Sequence, residues 1–268
     1  MVQPLLALRG VSKRYGAVHA LDGVDLDVAT GEVVALIGDN GAGKSTLIKI
    51  IAGVVTPDTG VVEFQGRPVT IHSPHAAASL GIATVFQDLA LCENLDVVAN
   101  LYLGHERLIP TVGRLGAWLD EIGMERRALA LLRELAVKIP SVRTPVAMLS
   151  GGQRQSVAIA RSLIGEPQVV LLDEPTAALG VEQTAHVLEL ILRLRDRGLG
   201  VVVVSHNLSN VLAIASRAVV LRLGRNNGTF VLPGATQEQL VAAITGATDA
   251  RAAAATAAPS SDEPAGDE

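Results

Sequence analysis

The apolar run Val33-Val34-Ala35-Leu36-Ile37 breaks into Gly38-Asp39-Asn40-Gly41-Ala42-Gly43-Lys44-Ser45-Thr46, and a helix-forming stretch, Thr46 to Ala52, continues from it. This strand, loop and helix match G-x-x-x-x-G-K-[ST], in which a curled backbone turns successive N–H groups inward onto phosphate. Glycines permit the curl. The Lys44 ammonium suits the β- and γ-phosphates and the Ser45 hydroxyl suits Mg²⁺. The helix N-terminus adds roughly half a positive charge at the phosphate end. Nucleotide binding is therefore the first functional expectation.

Two further apolar runs end on polar groups. Val169 to Leu172 leads into Asp173-Glu174, and Val201 to Val204 into Ser205-His206. Short continuous apolar runs fit strands covered on both faces, as in a parallel sheet, and ligands sit beyond the carboxyl ends of such strands. Adjacent carboxylates repel unless a cation or a proton relieves them. Asp173 is expected to hold Mg²⁺, leaving Glu174 as general base for the water that attacks the γ-phosphate. His206 either touches the γ-phosphate and orients that water or serves the fold alone. Leu149-Ser150-Gly151-Gly152-Gln153 opens another helical pattern, Arg154 to Leu163. With Ser150 as N-cap it reads as a second anion-binding helix start, or as a plain cap and turn.

Leu5 to Tyr15 and Val18 to Ala29 alternate as antiparallel strands do, with turns at Tyr15-Gly16 and Thr30-Gly31. From about Leu89 to Leu163 the pattern turns helical, with Leu119, Ile122, Leu129, Leu132 and Leu135 near helical spacing. Trp118 is expected to pack within this insertion, and Val181 to Arg197 forms another helix. The formal net charge is −5, of which the tail from Ala247 carries most. A nearly neutral body speaks against a nucleic-acid partner, which needs a dense basic face. The tail, 247–268, is rich in Ala, Ser, Pro and acids and is expected to be disordered. The single Cys92 permits no internal disulfide and is expected to be a small buried hydrophobe. His72 and His75 lack the company of metal ligands and read as surface residues. No secretory signal is visible, and the apolar runs fall far short of the roughly 20 residues that a bilayer requires. A soluble intracellular protein that reaches membranes only through a partner is the expectation.

Taken in order, the phosphate loop, Leu149–Gln153, the strand ending in Asp173-Glu174, and His206 resemble the ABC-transporter ATPases over about Leu5 to Pro233. The resemblance implies an α/β fold: a P-loop NTPase (RecA-like) core with an N-terminal antiparallel β-subdomain and an inserted α-helical subdomain. The ATPase domain would span 1–246, with the helical part at about 89–163. ATP and Mg²⁺ are implied, and head-to-tail homodimerisation in the ATP-bound state. Ser150, Gly151, Gly152 and Gln153 of one copy would then cap the γ-phosphate held by Gly38, Asp39, Asn40, Gly41, Ala42, Gly43, Lys44, Ser45 and Thr46 of the other. Tyr15 fits the aromatic that stacks on adenine. Gln87 fits the glutamine that reaches Mg²⁺, alongside Ser45 and Asp173, and the attacking water. Glu174 fits the catalytic base, His206 the switch histidine, and Lys44 and Gln87 complete the catalytic set. The implied partners are integral-membrane permease subunits, which place the chain at the cytoplasmic face of the cell membrane, and indirectly an extracytoplasmic sugar-binding protein. One departure is Ala177-Ala178-Leu179-Gly180, where the family usually carries Ser-Ala-Leu-Asp.

A narrower likeness, to single-domain ATPases of ribose/xylose/fructose-type importers, rests on Asp39-Asn40-Gly41-Ala42, His72-Ser73-Pro74-His75-Ala76-Ala77, Gly81 to Asp88, Asn94-Leu95 and Thr176-Ala177-Ala178-Leu179-Gly180. It implies an ATPase powering monosaccharide import. An ABC ATPase for another substrate, or a soluble ABC protein not tied to transport, stays open.

Overall fold

The alternating N-terminal segments form β1 (Leu6–Tyr15) and β2 (Val18–Val28) in the computed structural model, which describes residues 3–110 and 117–247. Then come β3 (Val33–Ile37), α1 (Lys44–Ile51), β4 (Thr59–Phe64), β5 (Arg67–Val69), α2 (Pro74–Ser79), β6 (Ile82–Val85) and α3 (Val97–Tyr102). A hairpin, β7 (Leu108–Pro110) and β8 (Ala117–Leu119), precedes α4 (Glu121–Glu134) and α5 (Gly151–Ser162). The chain continues through β9 (Val169–Asp173), α6 (Val181–Asp196), β10 (Gly200–Val204), α7 (Leu208–Ile214), β11 (Arg217–Arg222), β12 (Arg225–Val231) and α8 (Gln237–Thr245).

Two sheets carry the architecture. An antiparallel sheet runs β2-β1-β4-β5, and a six-stranded sheet runs β12-β11-β3-β10-β9-β6. Within the second, β11, β3, β10, β9 and β6 are parallel and β12 closes one edge antiparallel. The continuous apolar runs have a physical cause. Val33, Ala35, Val170, Leu172, Val201 and Val203 face the helical side, where they join α5 and α6 in one core. Val34, Leu36, Val169, Leu171, Val202 and Val204 face the antiparallel sheet and α1. Both faces are covered, so no strand of the centre alternates with polar residues.

The insertion differs from its sequence reading. Leu119 ends β8, where it pairs with Leu108, so its helical spacing to Ile122 is coincidental. Trp118 pairs with Ile109 on the same hairpin and is 73% exposed, and so is no packing residue. Helix α4 starts only after Asp120, whose carboxylate accepts from the Gly123 N–H at 2.9 Å. Its buried stripe is Met124, Ala128 and Leu132, and Ile122 points to solvent. Cys92 is half-buried rather than fully enclosed. The expected disordered tail lies, from residue 248 on, outside the described residues. No helix among the described residues is long and apolar enough to cross a membrane.

Candidate nucleotide site

Parallel register brings the sequence-predicted residues to one edge. Val204 pairs with both Leu36 and Asp173, and Val85 pairs with Leu172. Chains leaving β3, β9, β10 and β6 therefore emerge side by side, carrying Gly38, Asp173-Glu174, His206 and Gln87. These residues line a cleft of 730 Å³ together with Tyr15 and every residue from Asp39 to Thr46.

The phosphate loop is held by its own backbone. The Ala42 N–H donates to the Asp39 carbonyl at 3.1 Å, and α1 begins from Gly43 at φ +105°. A Cβ at Gly43 would lie 2.6 Å from the Ala20 carbonyl oxygen and 2.7 Å from Leu21 Cδ2, so glycine is needed both for angle and for space. Lys44 is buried, and its Nζ donates to the Gly38 and Asp39 carbonyls at 2.7 and 2.9 Å. Burial pushes its pKa down against the pull of Glu174, Asp39 and Asp173.

Opposite the loop, Asp173 is half-buried, and its carboxyl is pushed up by burial and by the Glu174 charge, with Lys44 and Lys49 opposing. Glu174 holds a left-handed φ of +50°, uncommon for a residue with a side chain. Its N–H donates to the Val204 carbonyl at 3.0 Å, and its Oε2 lies 2.9 Å from Nδ1 of the largely exposed His206. Ser45, Gln87 and Asp173, which line the same cleft, can each offer a side-chain oxygen, the ligand type a hard divalent cation takes. Burial and the Glu174 charge outweigh the two lysines at Asp173, and a cation there would relieve that cost.

Residues that sequence reasoning missed also line the cleft. Val18, His19 and Ala20 sit beside Tyr15, and Ala177 beside Glu174. Val18 is 65% exposed at the head of a strand, a signal visible only as an apolar residue after a tight turn. Lys13 Nζ stands 5.8 Å from the Tyr15 ring centroid and bonds Asp58 at 2.7 Å. His72 and His75 are both exposed, the latter on α2.

The Ser150 turn is not in this cleft. Ser150, Gly152 and Gln153 border a separate 430 Å³ hollow against α6. Ser150 and Gln153 form a reciprocal cap: the Gln153 N–H donates to Ser150 Oγ at 3.3 Å, and the Ser150 N–H donates to Gln153 Oε1 at 3.0 Å. Gln153 Nε2 also donates to the Lys138 carbonyl at 3.1 Å. The Gln153 side chain is thus committed to the fold. What the turn offers a ligand is the Ser150 hydroxyl and backbone N–H groups.

The ABC transporter family model matches residues 21–177. The fructose import ATP-binding protein FrcA of Rhizobium meliloti is 47% identical, over 91% of this chain and 95% of that protein. The xylose/arabinose import ATP-binding protein XylG of Sulfolobus acidocaldarius is 46% identical, over 82% of this chain and 86% of that one. Among solved structures, the dimeric post-hydrolysis state of the ATP-binding cassette MJ0796 bound to ADP and Pi superimposes with TM-score 0.70 at 27% identity, covering 86% of this chain and all of that one.

Proposed function

The chain belongs to the ABC transporter family of ATPases, and from that membership we propose that it hydrolyses ATP to drive a monosaccharide importer. The observation that carries the mechanism is the shared edge of four parallel strands, which gathers Lys44, Gln87, Asp173, Glu174 and His206 into one cleft. The sugar-import reading is supported by two relatives, at 47% and 46% identity, whose names specify fructose and xylose/arabinose import.

Tyr15 stacks on the adenine, and the loop from Gly38 to Thr46 wraps the phosphates. Lys44, already desolvated, exchanges its carbonyl partners for β- and γ-phosphate oxygens. Ser45, Gln87 and Asp173 would hold Mg²⁺, which supplies charge neutralisation at the phosphates. Glu174 accepts a proton from water as its oxygen bonds to the γ-phosphorus and the bond to the β–γ bridging oxygen breaks. His206, within hydrogen-bond distance of Glu174, fixes that carboxylate and lies close enough to sense the γ-phosphate. Ser150, Gly151 and Gly152 of a second copy cap the γ-phosphate, with Gln153 bracing the turn. The permease, at the cytoplasmic face, and an extracytoplasmic binding protein supply the sugar contacts.

Glu174→Gln tests the reading. It is expected to retain ATP binding, lower turnover by about 10²–10⁴-fold, and accumulate as an ATP-bound dimer. Phosphate release and sedimentation measure both. Wild-type turnover in this variant overturns the base assignment. The transport half is tested by sugar uptake in vesicles holding the chain with its permease.

A further inference from the structure

Helix α5 starts at the Ser150 turn, and Arg161 sits on its last turn. The half-buried Arg161 guanidinium reaches back to the segment that follows Gln87. Nη1 donates to the Ala90 carbonyl at 2.8 Å and Nη2 to the Leu89 carbonyl at 3.3 Å. Its partners are two main-chain carbonyls rather than a carboxylate, and burial pushes its pKa down. Ala90 stands at φ +48°, a bend that needs holding.

The rest of this segment is anchored elsewhere. Before Gln87 the chain is fixed in β6 by pairing to β9. After Ala90, the fully buried Asn100 ties the loop: its side chain accepts from the Cys92 N–H at 2.7 Å and donates to the Cys92, Leu95 and Asp96 carbonyls. Arg154, also on α5, pairs with Glu93 at 3.2 Å. Between those anchors, Gln87 is exposed on a bend.

We propose that Arg161 is a positioning residue for Gln87: it clamps Leu89 and Ala90 to α5, so that Gln87 in one copy's cleft and the Ser150 turn offered to the other copy move as one body. The inference rests on the site reading given above for Gln87. In a chain with Gly180 where the family usually carries an acid, this clamp is a route between the two hydrolysis sites that needs no acid at the interface.

A double-mutant cycle on the full chain, with MgATP titrated to saturation, tests it. Arg161→Ala is expected to lower kcat by about tenfold or more with KM for ATP within about twofold, and to cost less than about twofold further in the Gln87→Ala background. Arg161→Lys, which keeps the charge but lacks the rigid planar fork that spans the two carbonyls, is expected to fall between. If Arg161→Ala does not fold, Arg161→Lys is carried through the same cycle. Losses that multiply, or an unchanged kcat in the Arg161 variant, overturn the inference alone. Wild-type turnover in Gln87→Ala overturns the inference and the reading of Gln87 together.

Discussion

Asp173 and Glu174 are neighbours in sequence but not in environment. The strand ends at Asp173, which stays half-buried beneath the loop, whereas Glu174 turns through a left-handed conformation toward His206. Such a backbone conformation costs on the order of 1 kcal/mol, and tertiary contacts such as the bond to Val204 maintain it. Asp173 carries a second cost. Its carboxyl is held above the usual range by burial first and Glu174 second. A folded pKa above the unfolded one means that ionisation opposes folding. The penalty is fully present above the folded pKa and fades as pH falls toward the unfolded value. Asp173→Asn is therefore expected to raise the melting temperature of the nucleotide-free protein near about pH 8, with the gain vanishing near about pH 4. Calorimetry without Mg²⁺ measures it, and a lower melting temperature at the higher pH contradicts the assignment. The residue types were legible in the sequence because each ends an apolar run. The 2.9 Å approach of His206 to Glu174 was not, since it depends on β9 and β10 being neighbours.

Helix starts show where local signals suffice. Ser150 and Gln153 are a capping box readable three residues apart, and the structure builds it. The Leu119–Ile122 spacing fails for the opposite reason: it straddles the joint between β8 and α4, and periodicity cannot see a joint. Gly180 is the instructive element end. It is the N-cap of α6 at φ −69° and ψ 169°, an extended conformation open to any residue, and a Cβ there would meet nothing within 4 Å. Nothing in the fold explains the glycine. Gly180→Asp is expected to stabilise the chain by a few tenths of a kcal/mol, because aspartate caps a helix better than glycine and favours its positive end. Urea unfolding reads this. A destabilised variant shows that the turn before α6 tolerates no acid.

At the scale of the whole chain, the two features proposed to hold phosphate are physically separate. The Lys44 cradle opens the 730 Å³ cleft, while the Ser150 turn borders a different hollow against α6. The cradle is readable from one contiguous motif, whereas the sheet edge that completes it is long-range. Strand order β12-β11-β3-β10-β9-β6 rests on pairings between segments far apart in the chain, which no local pattern carries. If each hydrolysis site joins the cradle of one copy to the turn of another, two dead variants can repair one another. Lys44→Ala spoils the cradle, and Ser150→Arg spoils the turn. In a mixed dimer with two-fold symmetry, one site receives both lesions and the other receives neither. Random pairing of equal amounts makes half of the dimers mixed, each with one intact site, so one quarter of the sites are intact and recovery of up to about one quarter of wild-type turnover is expected from two inactive preparations, the shortfall measuring how far one site depends on its twin. Hydrolysis sites contained within single copies would give no recovery at any mixing ratio. The same experiment read as ATP binding should show Ser150→Arg unimpaired as a separate subunit, because its lesion lies outside the cleft that holds the nucleotide in its own chain.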